Sequence, residues 1–131
     1  MSQINVIAVF VAGLSSFLLG GLWYSPMLFG NAWNRAAGDT RKKGEGHPAK
    51  VFGLSFAFAL VAAFVYALLI PAASGAASAA GQGLLVGAGL VAASFGINYQ
   101  FANRTGLLWL IDGGYHTIQF GLFGLILGLW R

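Results

Sequence analysis

The sequence predicts an all-α membrane protein, with four transmembrane helices in a bundle and a single domain that covers residues 1–131. Three observations support this fold class. The chain is 58% hydrophobic and only 8% charged, whereas soluble domains carry about 25% charged residues. Its apolar residues form four long runs, each near the length of about 20 residues that crosses roughly 30 Å of hydrocarbon. Glycine is frequent, at 20 residues, which suits helices that pack closely within a membrane.

The four runs define the predicted spans. The first covers about residues 4–22, the second 51–70, the third 83–102 and the fourth 107–130. No Lys or Arg stands before the first run, and no Ala-x-Ala site leads from it into a polar region. We therefore expect the first run to be kept as a span rather than cleaved as a signal peptide.

The linkers between the spans differ in character. Residues 71–82 are small and uncharged, and residues 103–106 form a tight turn. Residues 23–50 form a long loop that is aromatic at first and then basic. After Pro26, apolar side chains at positions 28, 29, 32 and 33 fit a short amphipathic helix at the inner membrane surface. A continuation of the first span beyond a kink at Pro26 fits the same pattern.

The cations predict the orientation. Arg104 lies in the 103–106 turn and Arg131 ends the chain, while the other five Lys and Arg residues lie in the 23–50 loop. By the positive-inside rule, both basic loops are cytoplasmic and both termini lie outside, in a multi-pass protein of the cell inner (cytoplasmic) membrane. The net charge of +4 belongs mainly to that loop, so no nucleic-acid partner is expected. The five loop cations are Arg35, Arg41, Lys42, Lys43 and Lys50.

The fourth run contains a polar cluster. Asp112, His116 and Gln119 follow the spacing i, i+4, i+7, so they share one helix face, and Tyr115 lies beside it. Ionisable groups are costly in hydrocarbon, so we expect this face to point into the protein. An antiparallel hairpin around the 103–106 turn brings Asn98 to the level of Asp112. The candidate polar or ligand-binding cluster is therefore Asn98, Asn103, Asp112, Tyr115, His116 and Gln119.

Three roles are open for this cluster. The first role is structural, with hydrogen bonds that fix the helix register. The second is a binding site for a small ion, a proton or a small-molecule ligand, and the third is catalysis. Catalysis is the least favoured, because no nucleophile is placed beside a base and the chain has no cysteine. Only Asp112 and His116 form a ligand-like pair, so we predict no catalytic residues, no metal site and no cofactor.

Small residues recur at helical spacing and predict close helix packing. Gly83 and Gly87 form such a stripe in the third span, and Gly121, Gly124 and Gly128 form another in the fourth. We expect one of these stripes to form the contact of a homo-oligomer, most simply a two-fold dimer, embedded in the lipid bilayer.

Two stretches resemble a known family. The resemblance rests on a Trp-Tyr-Ser-Pro motif and a Gly-Tyr-His motif, which occur here in the same order as in the family. The stretches are Gly21-Leu22-Trp23-Tyr24-Ser25-Pro26-Met27-Leu28-Phe29-Gly30 with Trp33, and Leu110-Ile111-Asp112-Gly113-Gly114-Tyr115-His116, before a closing Gly124, Gly128 and Trp130. They resemble the small bacterial membrane proteins of domain-of-unknown-function family 1761. The resemblance implies a four-helix integral membrane protein and implies no activity.

The first motif also has a physical interpretation. Trp23 and Tyr24 suit the headgroup interface, and Ser25 with Pro26 can end one helix and begin another. These four residues form a candidate interfacial motif, either an anchor or a cytoplasmic gate. For the whole chain, a small transporter or channel-like protein is the first hypothesis, a non-enzymatic accessory or interaction protein the second, and an intramembrane enzyme the third.

Overall fold

A computed structural model of the chain describes residues 4–38, 48–71 and 74–130. Among these residues every regular element is a helix, and no strand occurs. In chain order the helices are α1 (Val6–Trp23), α2 (Gly30–Ala37), α3 (Pro48–Leu69), α4 (Ala76–Phe101) and α5 (Gly106–Leu129).

Side-chain caps fix the starts of α1 and α5. Asn5 accepts a hydrogen bond from the backbone N–H of Ala8, and Thr105 accepts one from Leu108. Each cap satisfies one of the N–H groups that the first helical turn leaves without a partner.

One boundary differs clearly from the prediction. The helix α4 begins at Ala76 rather than near residue 83, so it takes up much of the predicted 71–82 loop. Alanine has the highest helix propensity, and Ala76 and Ala79 lie directly against glycines of α5. Packing and propensity together outweigh the loop-like small-residue composition.

Three helices are long and apolar enough to cross a membrane: α1, α3 from Ala49 onward, and α4. They suggest a membrane-embedded protein. The helix α5 is also long, at 24 residues, but Asp112, His116 and Gln119 lower its hydropathy.

The segment after Pro26 forms a helix of its own rather than a continuation of α1. The chain turns after Trp23, with hydrogen bonds from Phe29 N to Trp23 O (3.0 Å) and from Gly30 N to Ser25 O (2.9 Å). Glycine is needed at position 30, because a Cβ there would lie 2.4 Å from the Tyr24 carbonyl oxygen. The basic residues Arg41, Lys42 and Lys43 lie outside the described residues.

The glycine stripes join α4 to α5 within the chain. A Cβ on Gly124 would lie 2.0 Å from Ala79 O, and one on Gly83 would lie 2.0 Å from Phe120 O. The two antiparallel backbones are therefore in direct contact, as small residues permit. This corrects the sequence-based assignment of these stripes to an oligomer contact, since the protomer itself fills them.

A π-helical segment, Gly87–Ala92, interrupts α4. Contacts with α5 recur every four residues up to Gly87 and resume at Ala92 and Gly96, which lie against Gly113 and Trp109. The extra residue between Gly87 and Ala92 is the one that a π-bulge inserts. The Trp109 Nε1–H donates to the Ala92 carbonyl oxygen at 2.7 Å, so a side chain from α5 pairs with the end of the π segment.

The apolar core lies at one end of the molecule. Both chain ends meet there, because Asn5 Nδ2 donates to Trp130 O at 3.0 Å; we call it the terminal end, and the opposite end the α2 end. At the terminal end α3 packs on α5, and its Tyr66 lies against Phe120. The core residues are Ala8, Val9, Ala12, Ala63, Tyr66, Ala67, Ile70, Ala79, Phe123 and Leu127.

Candidate functional site

Asp112 of α5 accepts hydrogen bonds from three aromatic side chains. Its Oδ1 accepts from the Tyr24 hydroxyl at 2.6 Å and from Trp33 Nε1–H at 3.0 Å, and its Oδ2 accepts from the Tyr99 hydroxyl. The donors come from the end of α1, from α2 and from α4. Asp112 is only 8% exposed, and the three donors replace the water that its carboxylate would otherwise bind.

Tyr24 lies just beyond α1, and its hydroxyl is held in the neutral, donating form. Burial raises the pKa of Tyr24 most, and its hydrogen bond to Asp112 and the charge of that carboxylate raise it further. The Tyr24–Asp112 bond therefore has a fixed direction, from phenol to carboxylate.

The partner on α4 is Tyr99 rather than the predicted Asn98. The hairpin prediction assumed a regular α-helix, in which Asn98 faces Asp112. The π segment adds one residue and so turns the rest of α4 by about 100°. Tyr99 consequently faces Asp112, and the Asn98 side chain is exposed without a hydrogen bond to this cluster among the described residues.

A second network lies one helical turn further along α5. The His116 Nδ1 is 2.7 Å from Gln119 Oε1, and Gln119 Nε2 donates to Ser16 Oγ at 2.6 Å. Ser16 Oγ lies 2.8 Å from the Tyr115 hydroxyl, which donates to the Ser16 carbonyl oxygen at 2.9 Å. The network links α5 to α1, and both Ser16 and Gln119 are buried.

This network fixes the tautomer of His116. An amide oxygen can only accept, so Nδ1 must carry the hydrogen that Gln119 Oε1 receives. In the neutral ring Nε2 is then an acceptor. It has no hydrogen bond to any described residue. No fully buried side-chain N or O atom among those residues lacks a partner, so Nε2 reaches the molecular surface.

Two aromatic rings pack against the ring of His116. The ring of Phe95 on α4 lies edge-on to His116 with centroids 4.8 Å apart, and the Tyr115 ring lies 4.9 Å away. We call the surface formed by Phe95, Tyr115 and His116 the His116 face. On the first half of α3, Phe52 and Phe56 pack on Phe17 of α1.

The structure thus gathers only part of the predicted cluster. Asp112, Tyr115, His116 and Gln119 lie in the two networks, whereas Asn98 and Asn103 are exposed. Asn103 instead closes the turn after α4 in the left-handed conformation (φ 58°) that asparagine tolerates. Asp112 and His116 each have their own partners, and no hydrogen bond joins them.

The interfacial motif also contacts α5. Trp23 Nε1–H donates to the Ile111 carbonyl oxygen at 2.9 Å, and Tyr24 reaches Asp112. Ser25 Oγ donates back to Leu22 O at 2.7 Å and ends α1. The prediction missed Ser16, Trp33 and Tyr99 as cluster members. Trp33 stands in the family motif, but single-sequence spacing does not show that it meets Asp112.

The donor set does not suit a metal ion. Among the described residues no group of three His, Cys, Asp or Glu side chains comes together. The arrangement offers instead a buried carboxylate surrounded by neutral donors, and an oriented imidazole with one free acceptor. These groups can hold a proton, a small cation or a hydrogen-bond donor.

The comparisons with known proteins agree with the motif resemblance. A family model described as "Protein of unknown function (DUF1761)" matches residues 7–128. The matched range includes both hydrogen-bond networks and the π segment. No curated protein and no solved structure matches the chain significantly. Because the family model covers nearly the whole chain, the protein belongs to the DUF1761 family.

Proposed function

We propose that this protein is a small transporter of the bacterial inner membrane, in which the polar face of α5 handles a small ion or small polar molecule. In this proposal α5 is a fourth span beside α1, α3 and α4, and the four form a transmembrane bundle. Its 24 residues cover about 36 Å, enough to cross the hydrocarbon region.

The proposed topology places the α2 end in the cytoplasm and both termini outside. Two observations support it. Asn5 is bonded to Trp130, so the two ends of the described chain lie together. Six of the seven cations fall, in sequence, within 23–50 or 103–106, and of these Arg104 bonds to Ala37 of α2 at the opposite end.

The observation that carries the transport proposal is the free, oriented Nε2 of His116 near the middle of α5. From Asp112 to Gln119 the polar groups extend for about 10 Å along the helix, starting at the α2 end. Beyond them Phe123 and Leu127 are fully buried in the apolar core. Polar groups on one side of a closed apolar core suit a transporter better than an open channel.

The assembly that we propose is a homo-oligomer, most simply a dimer. Four short helices enclose little space, and a second copy would supply the missing wall of a transport path. Since the glycine stripes are filled within the protomer, the proposed contact uses another face.

A non-enzymatic accessory role is the second candidate. One observation favours it: all three donors around Asp112 come from the chain itself, as in a network that only holds helices together. A role as an intramembrane enzyme has no such support.

Charge movement in proteoliposomes tests the transport proposal. On a solid-supported membrane we expect rapid exchange of pH, Na⁺, K⁺ or ammonium to displace charge with the wild-type protein. Asp112→Asn and His116→Ala should abolish the current, whereas Gln82→Ala, at a partly exposed position in the first part of α4 whose side chain bonds to Ser78, should preserve it. Currents equal to those of empty liposomes for every exchange would contradict transport.

Cysteine labelling tests the topology, because the chain contains no cysteine of its own. We expect a membrane-impermeant reagent to label Ser78→Cys in intact cells and Lys43→Cys only after the membrane is opened. Labelling of Lys43→Cys but not of Ser78→Cys in intact cells would reverse the assignment.

A further inference from the structure

We propose that the His116 face binds a lipophilic amine in its ammonium form, with an N–H of the ammonium group donated to Nε2 of His116. This inference names a substrate class for the proposed transporter and so rests on that function. The argument combines the free acceptor, the uncompensated charge of Asp112 and the aromatic surface around them.

The free acceptor requires a donor from outside the described chain. An unpaired polar group in hydrocarbon costs several kcal/mol, and Nε2 of His116 lies near the middle of a helix that we place in the membrane. Gln119 fixes Nδ1 as the protonated nitrogen, so Nε2 cannot serve as a donor while the ring is neutral. The ligand must therefore carry an N–H or O–H group.

The charge of Asp112 selects a cation among such donors. Tyr24, Trp33 and Tyr99 are all neutral and all donate to Asp112, which is the pattern of an ionised carboxylate. No cation among the described residues forms an ion pair with Asp112, and Arg104 in the turn before α5 donates to the Ala37 carbonyl oxygen instead. His116 lies one helical turn from Asp112, about 6 Å along the axis. In a low dielectric, a carboxylate one helical turn away attracts a cation bound at His116.

The aromatic rings favour an organic ammonium over a metal ion. Phe95 and Tyr115 pack against the His116 ring with centroid distances of 4.8 and 4.9 Å, and aromatic rings near a bound cation attract it once it has shed water. No group of three His, Cys, Asp or Glu side chains comes together there among the described residues.

The surroundings of the face favour a lipophilic ligand. The two helices that carry the face also expose apolar side chains, such as Ile97 on α4 and Ile118 on α5. In a bilayer these side chains meet lipid tails, so an amine with an alkyl chain can approach from the lipid phase and leave its apolar body there. A second copy of this chain or a water molecule would satisfy Nε2 without such a ligand.

Three probes of one chain length separate the two contributions in nanodiscs. Octylammonium has both charge and an N–H donor, octyltrimethylammonium has the charge without a donor, and octanol has a donor without charge. The readout is the ¹⁵N resonance of His116 Nε2, assigned by its loss in His116→Ala. We expect octylammonium to shift this resonance saturably and to bind at least about tenfold more tightly than either other probe.

Variants test the same two contributions. Asp112→Asn should weaken octylammonium binding about tenfold and leave octanol binding unchanged, since only the charge is lost. Gln82→Ala is the matched control and should leave all three affinities unchanged. Equal affinities of octylammonium and octyltrimethylammonium would overturn the donor contact, and equal affinities of octylammonium and octanol would overturn the charge selection. A resonance that no probe shifts, as expected for a water or a second copy at Nε2, would overturn the site.

These outcomes are separate from those of the transport test. Saturable octylammonium binding without charge displacement would keep this inference and contradict transport. Charge displacement without octylammonium binding would keep transport and overturn this inference.

Discussion

Asp112 joins parts of the chain that are far apart in sequence. Its partners Tyr24 and Trp33 precede it by 88 and 79 residues, and Tyr99 by 13. One carboxylate therefore holds the end of α1, the helix α2 and the last turns of α4 against α5. Asp112 stabilises the fold mainly because it accepts hydrogen bonds from three donors that would otherwise be unpaired.

We predict that replacing Asp112 with leucine destabilises the protein much more than replacing it with asparagine. Leucine leaves three donors unpaired, at about 1–3 kcal/mol each, so the loss should be at least about 3 kcal/mol. Asparagine keeps one acceptor oxygen for Tyr24 and Trp33, and the loss should be about 1 kcal/mol. The measurement is the free energy of unfolding in detergent, followed by tryptophan fluorescence. Equal losses would show that the hydrogen bonds do not hold the helices.

Sequence reasoning identified the residues of this cluster better than their partners. The i, i+4, i+7 spacing correctly placed Asp112, His116 and Gln119 on one face of α5, because a regular helix has a fixed period. The partner Tyr99 could not be predicted, because the π segment in α4 shifts the helix register by one residue. The sequence of Gly87–Ala92 carries no signal that predicts a π segment. Trp33 could not be predicted either, since its contact depends on how the chain turns after Trp23.

The element with the fewest ties to the rest is α2. Trp33 bonds to Asp112, and the carbonyl of its last residue, Ala37, accepts a hydrogen bond from Arg104 at 2.9 Å. Arg104 thus places a cation at the C-terminal end of α2, where a helix dipole favours positive charge. These two bonds and the ring contact of Trp33 with Tyr24 hold this short helix to the bundle, so we expect α2 to separate from the bundle more readily than the long helices.

Trp33→Phe should loosen α2 without disturbing the rest. The substitution keeps the aromatic ring and removes the N–H that Asp112 accepts. We expect hydrogen exchange of the amides in Gly30–Ala37 to accelerate about fivefold to tenfold, as for the loss of one charge-assisted hydrogen bond. Asn34→Ala, at an exposed position of the same helix, should leave exchange nearly unchanged. Acceleration spread over all helices would contradict a local role for Trp33.

Added side-chain volume should reduce stability most at the contact between α4 and α5. We predict that Gly124→Ala destabilises the protein by about 1–3 kcal/mol, as overpacking does, because its Cβ would lie 2.0 Å from Ala79 O. Gly81→Ala is the matched control: it lies on α4, with nothing within 4 Å of its Cβ. It should be neutral or stabilise by up to about 1 kcal/mol. Similar unfolding free energies for the two variants would contradict the close backbone contact.

At the scale of the whole molecule, apolar and polar packing occupy opposite ends. The terminal end holds the contiguous core around Tyr66, Phe123 and Leu127, and the α2 end holds the two hydrogen-bond networks. Three of the four predicted spans correspond to long, apolar helices, because hydrophobic length is visible in sequence. The early start of α4 was not visible, since alanine and glycine in residues 71–82 suit a loop as well as a packed helix.

The polarity of α5 has a consequence for biogenesis. An Asp at the centre of a helix costs about 2.5–3.5 kcal/mol on insertion through the translocon, and α5 leaves the ribosome after α4. The apolar helix α4 emerges just before α5 and is joined to it by the short turn before Gly106, so α4 can serve as its partner during insertion. We therefore predict that α5 enters the bilayer only as a hairpin with α4. In a glycosylation-reporter fusion, residues 104–131 alone should stay outside the membrane, residues 74–131 should insert, and Asp112→Leu should restore insertion of the lone segment. Efficient insertion of the unaltered lone segment would show that α5 tolerates its carboxylate without α4.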